Sequence, residues 1–565
     1  MRIKSLFLSM LVGMAFVGCS SEKELNGGGT DPVKGGTGYV AVNIVQPKTV
    51  GTRATGDFEN GDAAENNASE GLFFIFDASG NVHNVNGKSS QRIRLAGSGT
   101  TESPAVERIY NAILLIDGVK DNPTGANQIV CILNAPAGLE TDVTNLSDLQ
   151  AKVEDYCTGQ TTDGKFVMSN SVYYDGDNLN DGDNLIVATP VKAENVKKSA
   201  SEALNNPVDI YVERVVAKVR AKEKSDGITN NVVKITVDGV EHSYTINIDG
   251  IALSNRSDKA YLLKSLTGYS NNKWTWNDKT NFRSFWEVMP GKKDGADQVT
   301  VQKVSWNDIQ ENEGGHYIAG ATPGSYCFTQ YILPNTFEKT GDVINTSIMV
   351  AAHLTETVDG TTKNADLVWI RGGYTTDKGA LNVIASAVQT QFAYYKKTGE
   401  SSYKELESSD FEWKGETGVG YSCYAQLKTA FGTDNKIYKF TGETPAEVTD
   451  GVSEVNTYLS TKANSLYARK YTEGKSYYFV EIEHVAATGS GETATPAING
   501  IVRNHIYDLT LNSIAGPGIP VFNPADKNIP QEPEDENLYF LGARVNVLDW
   551  RIVSQGVEFD NGIKK

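Results

Sequence analysis

The stretch that most limits how this chain folds is its C-terminal end, residues 538–559, LYFLGARVNVLDWRIVSQGVEF. It reads as a β-strand, yet residues 516–536 set it apart from the body. In that segment five prolines remove backbone donors and five acidic residues disfavour a packed core, so it reads as an extended tether. Within the strand, Val545 and Val547 share one face, whereas Leu548, Trp550 and Ile552 fall on the other. The apolar face therefore changes between Val547 and Leu548. Either a bulge re-aims the strand there or both of its faces are buried. A tethered strand of this kind closes the sheet of its own domain or is lent to a neighbour's.

The rest of the chain is β-rich in style. Its 54 glycines and 26 tyrosines favour strands and turns. At 565 residues it has room for two to four domains. The net charge of −18 argues against nucleic acid as a partner. Strands are expected at 71–76 with a return at 81–85, then at 128–134, 208–221, 232–237, 243–248, 330–333, 365–370, 476–483 and 502–511. Ser147 with Gln150 reads as a capping box opening a short helix that continues through Val153 and Tyr156. Leu381, Ile384, Val388 and Tyr395 mark an amphipathic helix stopped at Thr398-Gly399. The Gly- and Asn-rich turn 222–231 reads as a domain boundary.

Motifs for chemistry are sparse. There is no nucleophile elbow and no paired-histidine zinc motif, and six scattered histidines offer no metal cluster. Residues 175–183 space carboxylates like a calcium loop, but Leu179 occupies a ligand position and no glutamate closes the loop. A solvated acidic turn fits better. No metal, cofactor or catalytic residue is expected. Cys131, Cys157, Cys327 and Cys423 form an even set, open to one bridge per half (131 with 157, 327 with 423) or to buried free thiols. Trp274 and Trp276 are aromatic candidates for sugar contact or for core packing.

The N-terminus is an address. Arg2 and Lys4 precede a twelve-residue apolar run, residues 6–17, which suits a signal peptide and is too short to span a bilayer. Gly18-Cys19 follows it, a small residue before cysteine, which resembles a bacterial lipobox and would make Cys19 a lipidated first residue. A lone strand, residues 39–45, places Val40, Val42 and Ile44 on one face. Residues 47–57 then read as an exposed loop with Arg53 at its centre, suited to proteolysis.

Taken in order, the lipobox, the isolated first strand, the Arg53-Ala54 loop, VERVVAKV at 212–219, YILPNT at 331–336, VRNHIYDLTLNSI at 502–514, the proline tether and the terminal VNVLDWRI resemble the Bacteroidales fimbrillin family, and within it the major subunits of short fimbriae. The resemblance implies a mainly β chain: two transthyretin-like Greek-key β-sandwiches in series with a few short helices, and a C-terminal donor strand on its tether. It implies a signal peptide at 1–18, a lipidated propeptide at 19–53, sandwiches at 54–225 and 226–515, a tether at 516–537 and a donor strand at 538–565. By the same resemblance the precursor sits at the outer membrane through lipid on Cys19, and an arginine-specific protease cuts after Arg53 to leave Ala54 first. The strand carrying Val40, Val42 and Ile44 is then discarded, and Val545, Val547, Leu548, Trp550 and Ile552 of another copy fill the groove. The partners implied are further copies of the chain, head to tail, together with tip and anchor accessory subunits. Removing residues 1–53, with six basic and three acidic side chains, moves the net charge to −21. Two alternatives remain at this point: a tip or anchor component of the same fimbria, and an unrelated lipid-anchored enzyme or glycan-binding surface protein.

Overall fold

The computed structural model describes residues 38–47, 61–62, 64–95, 106–116, 127–158, 164–171, 173–174, 185–228, 231–265, 287–336, 345–399, 401–417, 419–485, 498–527, 540–548, 559–560 and 563–564. The chain is mainly β with a few short helices. Seven strands comprise the two near the chain ends and the strands around them: β1 (Gly38–Pro47), β2 (Val106–Ile116), β3 (Val208–Arg214), β4 (Ala217–Glu223), β5 (Tyr326–Ile332), β6 (Ile506–Ala515) and β7 (Phe540–Leu548).

The first large sheet places Gln91–Arg94, Glu70–Phe76, Gln128–Leu133, Met168–Asn170, β3, β1 and β2 side by side. Glu70–Phe76 and Gln128–Leu133 are apolar along nearly their whole length and are buried along it, as strands covered on both faces must be. Their side chains join Val40, Val42, Ile44, Leu114, Ile210 and Val212 in one core. The return strand expected at 81–85 forms only single bridges, Phe76 with Val82, Asn81 with Asn145 and Val85 with Lys88; at the turn Asp77 Oδ1 accepts from the amides of Ser79 and Asn81.

The stretch 208–221, expected as one strand, is two. Arg214 is the last residue of β3 and Ala217 the first of β4, and the chain changes sheets across Val215 and Val216, ahead of the turn at 222–231. β4 lies between β5, antiparallel, and β6, parallel, and β7 closes the far edge of this second sheet. Val219, Phe328, Ile332, Tyr507, Leu509 and Leu511 from this sheet meet Ile235, Ile246, Val350 and Leu354 from an eleven-stranded sheet, forming the second core.

A third core lies under the helix Asp377–Phe392, which buries Ala380, Ile384, Ala385 and Val388. Thr376 caps its N-terminus, and Ala393, in the left-handed region at φ 52°, ends it. It therefore stops before Thr398-Gly399, and Tyr395 belongs to the strand Tyr394–Thr398. The earlier short helix is Leu146–Gln150. Asn145 and Asp148 form its capping box in place of Ser147 and Gln150, and Val153 lies on a two-residue strand. Cys131, Cys157, Cys327 and Cys423 form no disulfide among the described residues. Cys327 and Cys423 donate instead to the carbonyls of Ala221 and Ala468, at 3.4 Å each. Residues 175–183, Trp274 and Trp276 lie outside the described residues.

Candidate assembly site

β1 occupies the interior of a sheet. It pairs antiparallel with β2 from Gly38↔Ile116 to Pro47↔Val106, and parallel with β3 from Val42↔Val208 to Val45↔Tyr211. Tyr39 adds a reciprocal pair of backbone bonds to Lys197, 2.8 and 2.9 Å. Val40, Val42 and Ile44, which the alternation of the sequence puts on one face, are each no more than 1% exposed. Burying three such side chains is worth about 5–9 kcal/mol. The opposite face is covered too, since Ala41 is buried. Taking β1 out would leave two unpaired strand edges, on β2 and β3, and an apolar slot between them.

The segment beyond the Arg53 loop is held by a separate set of contacts. Glu65 is buried, and its carboxylate accepts from Lys218 Nζ at 2.7 Å and from the hydroxyl of Tyr331. Arg214 Nε donates to the Glu65 carbonyl at 2.9 Å, and its Nη2 donates to Asn66 Oδ1. The Tyr110 hydroxyl donates to the Asn66 carbonyl at 2.8 Å and accepts from the Ala68 amide at 3.2 Å. Burial pushes the Glu65 carboxyl up, but the charge and hydrogen bond of Lys218, with Tyr331 and Arg214, outweigh it and hold it below the usual carboxylate range. Gly61 packs tightly against the clamp: a Cβ there would lie 2.6 Å from Asn66 Oδ1 and 2.7 Å from Arg214 Nη2, so those side chains would have to shift. Arg214 ends β3 and Lys218 lies on β4, so the clamp sits where the chain passes between sheets. Nothing in the run 61–68 announced it, because its partners lie 42 to 266 positions away.

Arg214 also reaches the other end of the chain. Its Nη1 donates to Asn504 Oδ1 at 3.0 Å, and the Asn504 amide donates to the Val216 carbonyl at 2.8 Å. Asn504 stands at φ 57°, a conformation asparagine tolerates better than most residues. It lies just ahead of β6, to which β7 pairs antiparallel from Ile506↔Leu548 to Ala515↔Phe540, with an irregularity at Leu511/Ser513. Val545 stands opposite Leu509 and Val547 opposite Tyr507, two residues of the second core. The structure thus brings Val545, Val547 and Leu548 onto the edge of their own chain's sheet. Cys19, Arg53, Ala54, Trp550 and Ile552 lie outside the described residues, as do residues 528–537 of the tether.

Residues 469–556 match the family described as Major fimbrial subunit protein type IV, Fimbrillin, C-terminal. The match runs through β6, the tether and β7. No curated protein matches the chain. Similar solved structures include a fimbrilin from Porphyromonas gingivalis W83, 13% identical, covering 92% of this chain and 98% of that one with a TM-score of 0.38. The tip fimbrial protein Mfa3 from Porphyromonas gingivalis with C-terminal truncation is 11% identical over 91% of this chain and 100% of that one, TM-score 0.32. A fimbrial assembly protein from Parabacteroides distasonis ATCC 8503 is 12% identical over 58% and 85%, TM-score 0.26.

Proposed function

We propose that this chain, whose C-terminal region is that of the fimbrillin family, is a structural, non-catalytic shaft subunit of a surface fimbria that polymerises head to tail by strand exchange. The observation that carries the proposal is the position of β1. It is an interior strand whose Val40, Ala41, Val42 and Ile44 are buried, and its covalent link to the sheet's later strands runs through Arg53. One cut after Arg53 would sever it from the remainder of the chain while the Glu65 clamp keeps the new N-terminal segment in place. The slot between β2 and β3 would then accept a strand from another copy.

The strand to be lent is β7 with the residues beyond it. It lies on a sheet edge and pairs along one side with β6 alone among the described residues. Of the proline-rich segment before it, expected to be an unpacked tether, Ile519–Pro520 instead pairs with Ser476 and Tyr477, and Ile519 and Val521 are buried. Before assembly, in this reading, the acceptor slot is filled by β1 and the donor is parked on its own sheet. Each contact in the filament joins a slot to a donor strand, two different surfaces, so the chain of contacts does not close on itself. Gain from apolar side chains at about 1.5 to 3 kcal/mol each exceeds the loss of the parked pairing only once the slot is open.

In the same reading the precursor is exported by residues 1–18 and held at the outer membrane through lipid on Cys19. An arginine-specific protease leaves Ala54 first, and the body consists of an N-terminal and a C-terminal β unit. The filament mediates adhesion and biofilm formation, and tip and anchor subunits complete it. The combination of a lone first strand, a processing loop and a donor strand favours a shaft subunit over a tip or anchor. N-terminal sequencing of surface filaments tests the scheme. Ala54 is the expected first residue, and mature protein beginning at Cys19 would overturn it. A ladder of heat-labile multimers in unboiled surface material is expected; a single band would point to a different class of surface protein.

A further inference from the structure

Above the third core, four short strands, Ser402–Glu405, Tyr394–Thr398, Ile437–Thr441 and Thr444–Glu447, form a separate antiparallel sheet that shares no strand with those containing β1 or β7. Its inner face buries Tyr394 and Ile437 in that core. Its outer face is aromatic. Tyr395 stands opposite Tyr438 and Phe440 opposite Pro445, and Tyr403 approaches from the neighbouring hairpin strand. Tyr395 meets Phe440 edge to face at 5.1 Å, Tyr403 meets Tyr438 at 5.1 Å, and Tyr403 meets Phe440 at 5.4 Å. Phe440 is 39% exposed and joins the half-buried tyrosines in one aromatic patch.

Two further observations narrow what this face fits. The hydroxyls of Tyr395, Tyr403 and Tyr438 make no hydrogen bond with any described residue, so three donor-acceptor groups stand among the rings. The charges sharing the face balance: Glu405 opposite Tyr395, Glu447 opposite Tyr438 and paired to Lys436 at 2.9 Å, and Lys397 opposite Tyr403. Two lysines and two glutamates make a neutral platform on a chain of net charge −18. A cationic partner would be drawn elsewhere on this surface, and an anionic lipid surface would find no cationic excess here.

We propose that this face binds uncharged carbohydrate. Apolar C–H faces of pyranose rings would lie on Phe440 and the tyrosine rings, and sugar hydroxyls would bond the three tyrosine hydroxyls and the Lys397 and Glu405 side chains. The proposal does not depend on strand exchange, since the platform belongs to neither sheet involved.

The test uses the full chain against lactose, N-acetyllactosamine and mannotriose, with sialyllactose and a heparin tetrasaccharide as charged comparisons, read by saturation-transfer NMR and titration. At least one neutral sugar is expected to bind, with aromatic protons of the tyrosines perturbed. Phe440→Ala should weaken binding about tenfold or more. Tyr438→Phe deletes a hydroxyl that supports no protein contact, so its melting temperature should stay unchanged while neutral-sugar affinity falls several-fold. The proposal is overturned if no neutral sugar binds at millimolar concentration, or if only the charged sugars bind. It is overturned equally if binding survives both substitutions, or if Phe440→Ala abolishes self-association of the chain while sugar binding is untouched.

Discussion

Arg503 and Glu287 are bonded to each other with side chains 0% and 1% exposed, Nε 3.0 Å from Oε1 and Nη2 against Oε2. Arg503 directs its remaining donors to the carbonyls of Leu262, at 2.9 Å, and Tyr261, at 2.8 Å. A second buried pair, Lys264 with Glu213 at 3.2 Å, lies nearby. Glu213 is on β3, beside β1, and Arg503 lies just before β6. Through residues 261–264 these contacts link β3, the strand beside β1, to the residue that stands ahead of β6.

Arg503→Ala would leave the Glu287 carboxylate buried and unpaired, at a cost of about 3–5 kcal/mol. Replacing both partners by apolar residues, Arg503→Met with Glu287→Leu, should cost much less, because no orphan charge remains. Urea unfolding of the three proteins checks the order. If the single substitution is no worse than the double, the pair is not a desolvated ion pair.

The Glu65 clamp should weaken in acid. The folded carboxyl lies below its ordinary value of 4.5, so its contribution is complete above pH 4.5 and is lost as pH falls through the lower folded value. Amide exchange of peptides covering residues 61–69 should accelerate in that range more than exchange in the rest of the domain. Glu65→Gln should exchange fast already at neutral pH and show little further change in acid. An acid response in that variant equal to wild type would assign the effect to another group.

The slot itself is testable without a filament. A chain beginning at Ala54 lacks β1 and should melt lower than the full chain, because about 5–9 kcal/mol of side-chain burial is gone along with two ladders of backbone bonds. A synthetic peptide of residues 38–47 should restore much of the loss, and the same peptide carrying Val42→Asp should not. Equal melting temperatures with and without the peptide would mean that the slot closes over once β1 leaves.

How much of the fold was readable in the sequence depends on how local each signal is. Val40, Val42 and Ile44 alternate, and alternation alone places them on one buried face. The apolar runs 71–76 and 128–133 state their own burial in the same way. The helix Asp377–Phe392 was legible from its spacing, but its end was not. Ala393 adopts a left-handed turn that its side chain does not favour, so the chain stops there for tertiary reasons. The break at Val215–Val216 was hidden because β3 and β4 keep one strand-like pattern while their neighbours change. Arg503 stood inside a recognisable motif, yet its partner is 216 residues away, and no local pattern reports a partner at that distance.

The donor strand offers the sharpest separation of outcomes. Among the described residues, pairing of β7 with β6 runs to Leu548↔Ile506, and Val545 stands well inside it, opposite Leu509. Trp550 lies two positions further along the sequence, outside the described residues. If the strand is lent to a neighbour, Trp550 would be its largest anchor in the slot, and Trp550→Asp would put an unpaired carboxylate there at a cost of several kcal/mol. The parked pairing would be untouched, so this variant should be a soluble monomer of normal melting temperature that accepts a wild-type donor but cannot donate. Val545→Asp should fail at both tasks: it disturbs the row opposite Leu509 and should lower the melting temperature as well as abolish donation. Mixing each variant with wild-type chains cleaved after Arg53, and sizing the products, distinguishes donors from acceptors. A Trp550→Asp protein that unfolds would mean that residue 550 belongs to its own domain, and one that polymerises like wild type would remove the strand from the assembly scheme.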